Sequence, residues 1–106
     1  MISYYIILHV FAVPDPVTDI KAIATSTSLA VSWTAPTGQN ITAYHMELKG
    51  VANTRKSGAD TATTFDNLLP GKSYTVVVSP MSGSVLGDPA EEIFTTSKSH
   101  DFLFLL

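Results

Sequence analysis

The chain has no cysteine, which removes disulfide staples and thiolate metal sites from consideration while leaving the cellular compartment open. Charge is also scarce. Asp, Glu, Lys and Arg supply 14% of the 106 residues, against about 25% in an average soluble domain. The six Lys and Arg are scattered and the formal net charge is -3, so there is no basic stripe to track a phosphate backbone. Nucleic acid is therefore not an expected partner. No uninterrupted apolar run approaches the roughly 20 residues that cross a bilayer. Nor does any stretch of ten or more residues carry the helical period of apolar positions.

Hydroxyls and alternation are what the chain has instead. It carries 13 Thr and 11 Ser, a polar surface that suits strands better than helices. At this length one domain with one core is expected. In "SLAVSWTAP" Leu29, Val31 and Trp33 share one face, and Ala30, Ser32 and Thr34 the other, as the two-residue period of a half-buried strand requires. "ITAYHMELKG" groups Tyr44, Met46 and Leu48 against His45 and Glu47. In "TATTFDNL" Phe65 faces inward and Leu68 closes the core, and Tyr74, Val76 and Val78 line one side of the next strand. "VPDPVTDIKAIA" reads as a first strand, "VANTRKSGAD" as a polar edge with a turn at Ser57-Gly58, and "EEIFTTS" as the last strand. "TGQN" is a turn cluster and "MSGSVLGDPA" a glycine-rich hairpin loop. Seven short strands joined by turns result.

Pro14 and Pro16 lack backbone donors, so pairing cannot continue regularly from their N-terminal side, and residues 14–97 are expected to be the whole folding unit. Two readings fit the apolar residues 1–13. They are a short signal-like segment with small residues ahead of a cleavage point after Ala12, or an extension beyond the domain. The lack of a basic start counts against the first. Residues 98–106 pass from the polar Lys98–Asp101 to "FLFLL", a second extension or the start of a membrane helix.

The combination of "VPDPVTDI", the tryptophan strand "SLAVSWTAP", "ITAYHMEL", "NLLPGKSYTVVV" and the pair Thr95-Thr96 closing the last strand, in this order and spacing, resembles the fibronectin type III domain. The "MSGS" loop and the compact middle are most similar to repeats of receptor-type tyrosine phosphatase ectodomains. The resemblance implies an all-β, seven-stranded immunoglobulin-like sandwich, with strands A, B and E facing C, C′, F and G. It places Trp33, Tyr44, Leu68 and Tyr74 in the structural core. It also implies a tyrosine corner, in which the buried Tyr74 ties its hydroxyl to the turn Leu68–Gly71. Pro70 and Gly71 supply the fixed and the permissive φ of that turn.

Catalytic constellations are not evident. His9, His45 and His100 are far apart, and His45 alternates outward as a solvated surface residue. Glu91 and Glu92 are neighbours, so on a strand they point to opposite sides and read as edge charges rather than an acid–base pair. No Ser sits in G-x-S-x-G. Arg55-Lys56 is too small a cluster to define an acidic ligand. Asn40-Ile41-Thr42 is a glycosylation acceptor triplet at a turn, which makes Asn40 the candidate modified residue. Some relatives carry R-G-D in the F–G loop, but here Leu86 stands where arginine is needed, so integrin recognition there is not expected. A W-S-x-W-S motif is also absent.

The function the resemblance implies is that of a non-catalytic extracellular or cell-surface module of an adhesion or receptor ectodomain. Such a module spaces neighbouring domains of a larger chain and contacts a protein ligand, without catalytic residues, cofactor or metal. The alternative is a spacer domain of a secreted polysaccharide-degrading enzyme.

Overall fold

The alternation of apolar and hydroxyl-bearing residues is realised as strands throughout. The computed structural model describes residues 13–57 and 60–98. Its strands are β1 (Thr18–Ala24), β2 (Leu29–Thr34), β3 (Ala43–Leu48), β4 (Ala52–Ser57), β5 (Ala62–Phe65), β6 (Ser73–Ser82), β7 (Val85–Leu86) and β8 (Ala90–Thr95). One antiparallel sheet has the order β1-β2-β5. The other has β4-β3-β6, with β7 and β8 both on the far edge of β6.

β7 and β8 are two parts of one interrupted strand. Met81 pairs with Leu86 and Val78 with Ala90, so two residues of β6 face three, Gly87 to Pro89, on the other side. That extra residue is a bulge. It falls opposite Pro80, whose carbonyl takes the Gly87 N–H at 2.6 Å and which has no N–H to return. Counted this way the sandwich has seven strands, in the two sheets that the sequence implied.

The glycine-rich loop expected over "MSGSVLGDPA" is shorter than the composition suggests. β6 continues through Pro80 and Met81 to Ser82, and the reversal needs only Gly83 and Ser84. Met81 pairs with Ala43 on one side and Leu86 on the other, so cross-strand pairing overrides the local turn signal. The turn expected at Ser57-Gly58 extends past the described residues at Gly58. The residues 1–12 and 99–106, with His9 and His100, also lie outside them.

The core forms where the inward faces meet. β2 contributes Leu29, Val31 and Trp33, β3 contributes Tyr44, Met46 and Leu48, and β6 contributes Tyr74, Val76 and Val78. Phe65, Leu68 and Val17 close its ends. β1 starts at Thr18, after both prolines, and bulges between Thr18 and Lys21, where Asp19 adopts φ 58°. The first buried side chain after Pro14 is Val17, so the chain joins the core before it joins the sheet.

Candidate functional site

The turn between β5 and β6 is fastened from two directions. Gly71 has φ 63°, the left-handed value a Pro-Gly type II turn needs at its third position. The buried Tyr74 ring leaves its hydroxyl beside the turn, where it accepts the Leu69 N–H at 2.9 Å. Leu68, next to it, is buried and donates its N–H to the Thr27 carbonyl at 2.9 Å. The second fastening comes from Thr96, the second residue of the Thr-Thr pair that closes the last strand, whose role in this turn the sequence did not show. Thr96 is only 2% exposed, and its Oγ1 donates to the Leu69 carbonyl at 2.6 Å while accepting the Lys72 N–H at 3.0 Å. Its own N–H donates to the Lys72 carbonyl, and Gly71 N–H reaches the Ser97 carbonyl. Its sequence signals were the closing Thr-Thr pair and phase, because Thr96 continues the inward positions Ala90, Glu92 and Phe94 of β8.

These bonds predict an order of effects. Tyr74→Phe keeps the ring and is expected to cost about 1–2 kcal/mol by leaving Leu69 N–H without its acceptor. Thr96→Val keeps the shape but strips two partners at a more buried point, and is expected to cost about 2–3 kcal/mol. Urea unfolding of both variants measures this, and an unmoved midpoint for Tyr74→Phe would remove the corner from the forces holding the fold.

Trp33 and Tyr44 meet across the sandwich. Their rings pack edge to face, with centroids 5.2 Å apart and planes at 64°. Among the described residues the buried Trp33 Nε1 has no hydrogen-bond partner. Burial raises the Tyr44 hydroxyl above its ordinary pKa, and the nearby indole N–H offsets this only in part. On the outer face of the larger sheet the Lys49 ammonium lies 2.7 Å from Glu91, whose hydrogen bond and charge raise the Lys49 pKa. Both groups hold their protons more tightly folded than unfolded. Their contribution is therefore complete below the unfolded values and is lost as pH climbs through the folded ones. The urea midpoint is expected to hold from neutrality to about pH 9 and to fall above about pH 10. A midpoint that rose with alkali would contradict this sign.

The two ends of the sandwich are built differently. At one end Asp15 N–H donates to Gln39 Oε1 at 2.9 Å, and Asp88 N–H points to the Pro14 carbonyl at 3.4 Å. Asn40 is exposed in the loop between β2 and β3 at this end. At the other end Ser97 N–H donates to the Thr25 carbonyl, beside the turn that Tyr74 and Thr96 fasten. β1 spans the distance between, so the chain enters at one end and leaves at the other.

Residues 15–96 match the sequence model of the fibronectin type III domain. The chain belongs to the fibronectin type III family. Over 79 residues it is 33% identical to the human receptor-type tyrosine-protein phosphatase eta, a match that covers 73% of this chain and 6% of that protein. The likeness to repeats of receptor-type tyrosine phosphatases expected from the sequence is thus borne out. Domains d3–d4 of the rat CD45 extracellular region superpose with a TM-score of 0.68 at 24% identity, covering 80% of this chain and 51% of theirs. A two-domain fibronectin type III segment of chicken tenascin gives 0.73 at 24% identity, with 80% and 51% covered.

The fibronectin type III sandwich separates the remaining candidates rather than gathering them. Glu91 faces outward to Lys49, whereas Glu92 takes the inward phase opposite Val76 and stays exposed at the open edge of β8. An inward-phased charge on an edge discourages pairing with another strand. His45 is half-buried on the outer face, across from Ser79 and Arg55 in register. Leu86 is exposed in β7. Among the described residues no three His, Asp or Glu side chains gather as metal ligands. A shallow depression of about 370 Å³ lies on the outer face, lined by Lys49, Thr75, Glu91, Glu92 and Ile93, which is 64% exposed. It sets the Lys49–Glu91 ion pair beside an exposed aliphatic side chain.

Proposed function

We propose that this domain is a non-catalytic extracellular module of an adhesion or receptor ectodomain, which spaces its neighbours in a longer chain and offers its loops and outer sheet face to a protein ligand. The observation that carries this reading is the 33% identity to a receptor-type phosphatase, of whose length the match spans only 6%. Entry beside Asp15 and exit beside Ser97, at opposite ends, suit a unit strung in a linear series. The fastened corner and the edge-to-face pair Trp33–Tyr44 make that unit a stiff one. An antibody raised against this domain is expected to label intact cells that express the parent protein. Labelling only after the membrane is permeabilised would overturn the cell-surface reading. A catalytic polysaccharide hydrolase domain in the same parent chain would replace it with the spacer of a secreted enzyme.

In the same reading Asn40 carries an N-linked glycan when a eukaryotic cell secretes the domain, since the residue is exposed and heads an N-x-T triplet. Mass spectrometry of secreted material is expected to show the glycan and its loss in Asn40→Gln. Unmodified Asn40 in fully secreted protein would exclude it. Thr42→Ala is the poorer test, because the Thr42 side chain also holds the fold.

A further inference from the structure

Thr42 has two roles that compete for one hydroxyl. It is the third residue of the acceptor triplet, and it also clasps the start of β3 to the end of β6. Its N–H donates to the Met81 carbonyl at 2.8 Å, and its Oγ1 donates to the same carbonyl at 3.2 Å. The same Oγ1 accepts the Gly83 N–H at 2.9 Å, so the hydroxyl is both donor and acceptor to the β6–β7 hairpin. The triplet's requirement for Ser or Thr at this position means that the modifying enzyme must engage that hydroxyl. Asn40 and Thr42 are both solvent-exposed, so burial of neither residue is the obstacle. Engagement of Thr42 is.

We infer that Asn40 is modified only while Thr42 is detached from β6, so that glycan addition competes with closure of this part of the sandwich and the folded domain is a poor acceptor. The inference rests on the reading of Asn40 as an acceptor and adds when, in the life of the chain, it acts as one. In the transfer itself the Asn40 amide nitrogen attacks the anomeric carbon of a sugar carried on a lipid pyrophosphate. A C–N bond forms, the C–O bond to the pyrophosphate breaks, the lipid pyrophosphate leaves with the electron pair, and one amide proton passes to a base of the enzyme. No side chain of this domain other than that of Asn40 takes part. The domain decides only whether the acceptor is presented.

The three bonds of Thr42 set the size of the effect. Each shifts the opening equilibrium by roughly fivefold, so even two of them slow modification of the folded chain by about twentyfold or more. The test uses a purified oligosaccharyltransferase and a lipid-linked oligosaccharide, with three acceptors at equal concentration. They are the folded, unglycosylated chain made in bacteria, the Trp33→Ala chain checked by circular dichroism, and a synthetic peptide of residues 36–47. The peptide is expected to be modified at least about twentyfold faster than the folded chain, with an unfolded Trp33→Ala chain following the peptide. Equal rates for the folded chain and the peptide would overturn the competition while leaving Asn40 an acceptor. If the peptide is not modified at all, the acceptor reading fails, and this inference with it.

Discussion

Trp33→Ala is expected to destabilise the domain by about 3–5 kcal/mol, which for a chain of this size leaves little or no folded protein. The indole is 5% exposed, fills the space between β2 and β3, and takes the edge of the Tyr44 ring 5.2 Å away. No neighbour can collapse into the void, because Leu29, Val31, Tyr44 and Met46 are already held on paired strands. Trp33→Phe should cost far less. It keeps an aromatic edge for Tyr44 and deletes an Nε1–H that has no partner among the described residues. Since Trp33 is the one tryptophan of the chain, unfolding must be followed by far-ultraviolet circular dichroism rather than indole emission. A well-folded Trp33→Ala chain with an unshifted urea midpoint would mean that the sandwich does not depend on this side chain.

Gly87→Ala is the second large effect, expected at about 2–3 kcal/mol. A β-carbon at residue 87 would lie 2.8 Å from the Pro14 carbonyl oxygen, 2.9 Å from the Pro14 β-carbon and 2.9 Å from the Pro80 carbonyl oxygen. These are backbone and ring atoms that cannot rotate away. Either the bulge loses its 2.6 Å bond to Pro80 or the N-terminal segment lifts off. Gly83→Ala is the natural control. Gly83 has φ 60° with no described residue within 4 Å of its missing side chain, so only backbone strain of about 1 kcal/mol is expected. Denaturant unfolding of the two variants checks the order, and a costlier Gly83→Ala would show that Pro14 is not held where the structure puts it.

Gly83 and Gly87 also mark the limit of what the sequence could reveal. Both sit in a segment whose composition signals a loop, and by composition they are equivalent. Gly83 answers to a local demand, a positive φ in a tight reversal, which its own neighbours make visible. Gly87 answers to Pro14, more than seventy residues earlier in the chain, and no local pattern reports that approach. Tyr74 and Thr96 divide in the same way. The tyrosine was legible because the L-x-P-G-x-x-Y turn that it fastens lies directly before it. The threonine belongs to the closing Thr-Thr pair that the resemblance includes, but Leu69, in the turn that it fastens, lies 27 residues away, and no local pattern reports that contact.

The sequence by itself determined the strands, the inward faces and the family. A two-residue period assigns each strand side chain to a face wherever the strand begins, and Trp33, Tyr44 and Tyr74 fall on the buried side, while Leu68 is buried from the turn before β6. Only the tertiary structure decided which strands share an edge, where β6 ends and where the last strand breaks. Those outcomes depend on which backbone donors and acceptors find partners across the sheet. Pro80, with a carbonyl and no N–H, sets the break through the strand beside it, and Thr42 became a clasp because Met81 and Gly83 were brought to it.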